Sequence, residues 1–197
     1  MIDSIFIERD VLDHPVSQKV INRLKNADVF EIERYQEMFN RRQQNFRIQK
    51  QKPALILAKK YDNFVLPAPS GFGIDAQKNY YFSHMYNCIY DCRYCFLQGM
   101  YSSANYVLFV NYEDFFEKIT DVIAGNTNDS ITFFSGYDCD SLAFEKITGF
   151  AEQAVEFFSN FNSVELELRT KSIVSDTLLK RSPISNCIVA YSLSPSN

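Results

Sequence analysis

The chain has 197 residues, 46% of them hydrophobic and 22% charged, and a formal net charge of -4. That is an ordinary globular composition for one or two domains, and no segment approaches the ~20 apolar residues of a membrane-spanning helix. Five cysteines, an odd count with no leader peptide before them, argue against a disulfide framework and for a reduced, cytoplasmic setting without membrane attachment.

Ser4-Ile5-Phe6-Ile7 reads as a β segment, and Val16, Val20, Ile21 and Leu24 at helical spacing predict an amphipathic helix over Pro15 to Ala27. Val29 to Arg47 is rich in helix formers and predicts a second helix. It runs into a basic strip. Residues 41–60 hold seven cations (Arg41, Arg42, Arg47, Lys50, Lys52, Lys59 and Lys60) and no acid, while the rest of the chain carries 13 positive and 24 negative charges. Such a strip can neutralise phosphates, which makes DNA a candidate partner, or it can be a solvated helix face followed by a linker. Pro53 to Ala58, apolar and opened by proline, suits a strand at a sheet edge. Leu66 to Gly73 concentrates two prolines and two glycines, so a boundary is expected there, between an N-terminal α+β region (1–75) and the remainder (76–197).

Beyond it, strands alternate with helices, the pattern of βαβ units on a parallel sheet. Asn79 to Met85 is the first strand, Asn111 to Ala124 a helix stopped by Gly125, Ser130 to Gly136 the second strand, and Leu142 to Phe158 the next helix. Val164 to Arg169 alternates strictly. Its charges fit the inside of a ligand-lined, partly open barrel, or else an edge strand with one wet face. Ser172 to Lys180 is a helix and Cys187 to Leu193 a fourth strand with nothing after it to cover it. Four such units cannot close a barrel, so the chain is expected to be the N-terminal part of a longer protein.

The chemistry concentrates in Cys88-Ile89-Tyr90-Asp91-Cys92-Arg93-Tyr94-Cys95, which spaces three cysteines as C-x3-C-x2-C. Three thiolates hold three corners of a [4Fe–4S] cube and leave one iron open to another ligand. A structural zinc site would need a fourth ligand, for which His84 is the nearby candidate. Other chemistry-bearing residues fall at the C-terminal ends of the predicted strands, where parallel βα folds place their sites. They are Gly136 to Asp140, Arg169 to Lys171, and Ser192 to Ser194. Asp140 can accept from an amino group, Lys171 or Arg169 can meet a carboxylate, and Ser192 and Ser194 can bond a carboxylate or ribose. Cys187 and His84 read as core, His14 as a surface residue.

The cysteine spacing resembles the radical S-adenosylmethionine (SAM) signature. Together with Ile5-Phe6-Ile7-Glu8, the Tyr94-Cys95-Phe96-Leu97-Gln98 close, Val110-Asn111-Tyr112-Glu113-Asp114 and Thr170-Lys171, it makes the chain similar to the spore photoproduct lyase family of radical SAM proteins. The resemblance implies a partial (β/α)6 TIM-type barrel, here truncated after about four βα units behind an N-terminal α+β region. It implies a lyase that acts in DNA repair through a 5′-deoxyadenosyl radical, an external electron donor, and a monomer or weak dimer. It puts the [4Fe–4S] cluster on Cys88, Cys92 and Cys95, and SAM contacts on Cys139, Asp140, Lys171 and Ser192, with Tyr94 close enough to touch SAM. The sequence also departs from the family. The family's hydrogen-donating cysteine, in a Cys-Thr-Ser-Asp run, falls on Tyr137 of Tyr137-Asp138-Cys139-Asp140, and its relay tyrosine after the last cluster cysteine is Phe96. A different substrate within the family, or a metal-binding protein without catalysis, remains an alternative, and Cys139 is either a substitute hydrogen donor or a small buried residue.

Overall fold

The computed structural model describes residues 2–73, 76–90, 92, 94–173 and 176–193. In chain order these form β1 (Ser4–Glu8), α1 (Pro15–Arg23), β2 (Asp28–Ile32), α2 (Phe46–Gln51), β3 (Leu55–Ala58), β4 (Leu66–Pro67), β5 (Lys78–Phe82), β6 (Met85–Tyr86), α3 (Leu97–Met100) and β7 (Tyr106–Phe109). There follow α4 (Tyr112–Ala124), β8 (Ile131–Ser135), α5 (Glu145–Thr148), α6 (Phe150–Phe158), β9 (Val164–Thr170), α7 (Asp176–Leu179) and β10 (Cys187–Tyr191). The fold is α/β with two five-stranded, mostly parallel sheets. Among the described residues no helix is long and apolar enough to cross a membrane.

The chain divides into two compact units, residues 1–61 with 84–111 and residues 62–83 with 112–197. The division is not the boundary expected near residue 75, because the segment that carries the three cysteines returns to the first unit. Its β6 pairs antiparallel with β7, which pairs parallel with β3. The predicted strand Asn79 to Met85 is accordingly two strands, β5 in the sheet of the second unit and β6 in that of the first.

In the first unit the order is β2-β1-β3-β7-β6. The expected helix over Val29 to Arg47 is instead β2, a 3-10 turn at Tyr35–Glu37, an irregular stretch and the short α2. Parallel pairing of Ser4 to Glu8 with Asp28 to Ile32 outweighs the local helix preference of the later glutamates and glutamines. β3 is central rather than at an edge, and every one of its residues is buried. Pro53 lies before the ladder, so its missing N–H removes no pairing. Glu8, also buried, closes this end of the sheet: its carboxylate accepts from the N–H of Tyr35 at 2.7 Å and of Lys59 at 2.8 Å.

In the second unit the order is β10-β9-β8-β5-β4, with only β4 antiparallel. The fourth strand, read as Cys187 to Leu193, ends at Tyr191 and pairs with β9. β9 therefore lies between β8 and β10, which excludes the edge-strand reading of its charges. The predicted helix Leu142 to Phe158 is broken into α5 and α6 at Gly149, which takes φ 68°. Glu145, buried, accepts from Ala151 N at 2.8 Å and so caps the first turn of α6. Phe82, Phe115, Phe133, Phe150, Phe158, Leu166 and Leu168 form the core, all at most 1% exposed.

His84 is fully buried, and desolvation pushes its imidazole down to about 3. Near neutral pH it is uncharged both folded and unfolded. Below about pH 6.5 the unfolded chain takes up a proton that the folded one refuses, so stability is lost as pH falls, by about 1.4 kcal/mol per pH unit. Urea unfolding at pH 7, 6 and 5 should show that slope reduced by about this amount in His84→Gln; parallel pH profiles for the two proteins would contradict the assignment.

Candidate functional site

The cysteine loop belongs to the first unit. After β6, Asn87 turns the chain with φ 66°, a left-handed conformation that asparagine tolerates better than most residues. Its side-chain amide, 6% exposed, donates to the carbonyls of Ser103 and Asn105, both at 2.7 Å. Cys88, Cys92 and Cys95 follow as half-buried cysteines outside any disulfide. The N–H of Tyr90 donates to Cys88 Sγ at 3.5 Å, and that of Cys95 to the Cys92 carbonyl at 3.0 Å. Gln98 N then donates to the Cys95 carbonyl at 3.1 Å and leads into α3. Tyr94 and Phe96 are both largely exposed; Asp91 and Arg93 lie outside the described residues.

Three thiols on one loop, one of them already accepting a backbone N–H, are the ligand type that an iron–sulfur cluster requires. The fit is one of donor chemistry and spacing along the chain. Among the described residues no group of three or more His, Cys, Asp or Glu is gathered closely enough to hold a metal ion. His84, the candidate fourth zinc ligand, sits in the core. Of the basic strip, Arg41, Arg42, Arg47, Lys50 and Lys52 are exposed, whereas Lys60 is buried with its ammonium 2.9 Å from the Tyr86 hydroxyl and over the rings of Tyr86 and Phe109. The exposed cations of the strip thus lie within residues 41–52, and Lys59 is half-buried with its ammonium over the Tyr61 ring.

The second unit gathers the other candidates at the C-terminal ends of its parallel strands. Gly136 follows β8 with φ 85°, and a Cβ there would come within 2.6 Å of Ser141 Oγ, so the turn is built for glycine. Ser141 donates to the Ser135 carbonyl at 2.7 Å and accepts from Arg169 N at 3.0 Å, tying the turn to β9. Asp140 continues the seam. One carboxylate oxygen accepts from Thr170 Oγ1 at 2.7 Å and Leu142 N at 2.9 Å, the other from Lys171 N at 2.6 Å. Burial raises the Asp140 carboxyl above its ordinary range, and these hydrogen bonds oppose the rise. The Lys171 ammonium donates to the Ser192 carbonyl at 3.0 Å, and Ser192 N to the Thr170 carbonyl at 2.8 Å. Asp140, Lys171 and Ser192 are therefore assembled through hydrogen bonds. Ser194 lies outside the described residues.

Cys139 is buried, and Tyr137 is half-buried with its ring 4.3 Å from Tyr81 and 5.7 Å from Phe72. Arg169 lies over Phe72 and pairs at 2.7 Å with Glu167, which is buried although charged. The charged face of β9 is thus partly self-neutralised. Sequence reasoning missed Asn87 and Ser141 as site residues, whereas Thr170 falls within the candidate segment Arg169 to Lys171. Asn87 carries a readable signal, an asparagine immediately before the first cysteine; the role of Ser141 becomes visible only once β8 and β9 are paired. His14, read as a surface residue, accepts from Val16 N at 3.2 Å as the N-cap of α1. Cys187 is half-buried, with its thiol pushed up to about 11 by burial.

A family model, Spore photoproduct lyase, matches residues 1–195. No curated relative matches the chain. Solved structures match closely in fold. A cysteine-to-serine mutant of spore photoproduct lyase superposes with TM-score 0.83 at 16% identity. A double mutant with bound AdoMet and dinucleoside spore photoproduct does so with TM-score 0.83 at 17% identity, and a complex with dinucleoside spore photoproduct with TM-score 0.82 at 17% identity. In each case 98% of this chain is covered and 56% of the other, so the chain spans little more than half the length of the solved proteins it matches.

The Asp140 seam yields a test independent of any ligand. Asp140→Ala leaves the N–H groups of Lys171 and Leu142 and the hydroxyl of Thr170 without their acceptor, at about 1–3 kcal/mol for each group that water does not reach. Urea unfolding should show a loss of about 2–4 kcal/mol, and a loss below 1 kcal/mol would mean that water replaces the carboxylate.

Proposed function

The chain belongs to the spore photoproduct lyase family, and from that premise we propose that it is a radical SAM enzyme related to the DNA photoproduct lyase. Cys88, Cys92 and Cys95 hold a [4Fe–4S] cluster, reduced by an external electron donor, and SAM is the second cofactor. The observation that carries this reading is the set of three cysteines, in no disulfide, at C-x3-C-x2-C spacing on one loop in a chain matched over nearly its whole length by this family. One matched structure has AdoMet bound, which supports SAM. When bound, the cluster and SAM supply a carbon radical that abstracts hydrogen, while the protein supplies position and shielding.

The second unit is proposed as the first four strands of the family's partial barrel. Lys171 meets the SAM carboxylate, because its ammonium is already held at the ends of β9 and β10 by the Ser192 carbonyl. Ser192 adds a hydroxyl for the carboxylate or ribose. Asp140 orients the Lys171 backbone through one carboxylate oxygen and is assigned the SAM amino group as an acceptor; Cys139 lies beside it on the same turn. Tyr94, exposed on the cysteine loop, is assigned a contact to SAM. DNA contacts are assigned to the exposed cations of residues 41–52, with affinity that falls steeply as salt rises. Matched structures bind dinucleoside spore photoproduct, which makes a pyrimidine dimer the reference substrate.

The last step of a dimer repair needs a hydrogen atom for the product radical. Tyr137 occupies the family's donor position, packed between Tyr81 and Phe72, and Cys139 is the remaining thiol. With Phe96 in place of the relay tyrosine, we infer a lyase-like enzyme that makes 5′-deoxyadenosine readily but repairs spore photoproduct poorly.

Three measurements test this. After anaerobic reconstitution, Cys88→Ala, Cys92→Ala or Cys95→Ala should each abolish the ~400 nm absorption of a thiolate-bound cluster, whereas Cys187→Ala should retain it; a colourless wild-type protein holding one zinc would overturn the assignment. Lys171→Ala should weaken SAM binding by about 1.5–3 kcal/mol in calorimetry, and unaltered affinity would remove Lys171 from the site. Mass spectrometry on dinucleoside spore photoproduct should find little repair by the wild type and more by Tyr137→Cys; clean conversion by the unmodified chain would show that Tyr137 or Cys139 already serves as donor.

A further inference from the structure

We propose that Asn87 is the positioning residue of the cysteine loop: its amide fixes the direction in which Cys88 leaves β6 and so sets how firmly the loop holds its metal group. The proposal rests on the reading of Cys88, Cys92 and Cys95 as cluster ligands.

Asn87 is held in a conformation that its own preferences disfavour. A non-glycine residue at φ 66° costs on the order of 1 kcal/mol and persists where the surroundings over-determine it. The surroundings here are two carbonyls, of Ser103 and Asn105, each 2.7 Å from the same amide nitrogen. Both amide hydrogens are thereby used, at the short end of the range for N–H to O, and in a buried place where water cannot substitute.

The acceptors are themselves anchored. Asn105 Oδ1 accepts from Ala54 N at 3.0 Å, and Tyr106 N donates to the Ala54 carbonyl at 3.0 Å, so this segment is registered against the start of β3. Gln49 of α2 accepts from Ala104 N at 3.0 Å and from Ser103 Oγ at 3.2 Å. The entry of the cysteine loop is thus referred, through one amide, to the central strands of its sheet. The exit is held separately, by the Lys50 ammonium donating to Gln98 Oε1 at 3.0 Å. Asn87, Cys88, Lys50 and Gln98 line the same small cleft. A residue that merely ended β6 would require neither the left-handed turn nor a doubly used buried amide.

Asn87→Gly keeps the backbone turn without strain and removes both hydrogen bonds, so it isolates the amide; Asn87→Asp keeps the shape and sets a carboxylate against two carbonyl oxygens. Outer residues that orient metal ligands typically account for about tenfold to a hundredfold in affinity. On that scale, iron retention against a chelator should drop about tenfold or more in Asn87→Gly and further in Asn87→Asp. The EPR spectrum of the reduced cluster should shift in both. Asn126→Ala, which removes a side-chain bond to the Val122 carbonyl in α4, is the control; it should lower the unfolding midpoint of the metal-free chain and leave the spectrum unchanged. If the wild type takes up no cluster, the cluster reading of the loop fails and this proposal with it. If the wild type takes up a cluster and Asn87→Gly matches it in iron retention and spectrum, the positioning role alone is overturned.

Discussion

A buried carboxylate that accepts backbone N–H groups from its neighbours organises the end of each sheet. Where several parallel strands finish together, the loops that leave them present N–H groups with no ladder partner, and burying such groups without an acceptor is costly. Asp140, after β8, accepts from Lys171 after β9. Glu8, at the end of β1, accepts from Tyr35 beyond β2 and Lys59 just beyond β3. The two units share no sequence pattern here, yet they solve the same problem with the same group. In both, burial raises the carboxyl and the backbone donors oppose the rise, the balance that lets a charge sit in a low-dielectric place.

That device also determines what can be built above it. A lysine on a free loop would sample many rotamers, and an ordered site would have to overcome that entropy. Lys171 instead starts from a backbone fixed at 2.6 Å to Asp140 and ends on a carbonyl at 3.0 Å. Among its described residues the cysteine loop has no comparable carboxylate. Its fixed points are carbonyls, so the organising side chain has to be a donor, and an asparagine amide meets that need while tolerating the left-handed turn. The different side chains at the two places follow from the sign of the unsatisfied backbone group.

The parts of the molecule written in local pattern were legible. The cysteine spacing, the stripe of α4 and the alternation of β9 depend on residues near one another in sequence. What was not legible depends on pairing at a distance. β7 is a short apolar run whose identity comes from lying against β3. β2 was obscured because Glu31, Glu33 and the residues after them favour helix, although Val29, Phe30 and Ile32 suit a strand. Counting charge along the chain likewise overstated the basic strip, since Lys60 buries its stem and head against two aromatic rings. The division into compact units was not legible for a related reason: composition marks the proline-rich stretch, but only the antiparallel contact of β6 with β7 reveals that residues 84–111 return to the first sheet.

Tyr137 is built into an aromatic wall. The Tyr137 ring lies 4.3 Å from Tyr81 and edge-on to Phe72, and Phe72 meets Phe134 at 4.9 Å and carries Arg169 at 5.3 Å. Arg169 in turn neutralises the buried Glu167. A thiol at this position would vacate a ring's volume in the middle of that chain of contacts, and a large-to-small change in such a place costs several kcal/mol unless the neighbours collapse inward. The aromatic wall and the tyrosine therefore belong together as one packed cluster of four rings and a guanidinium.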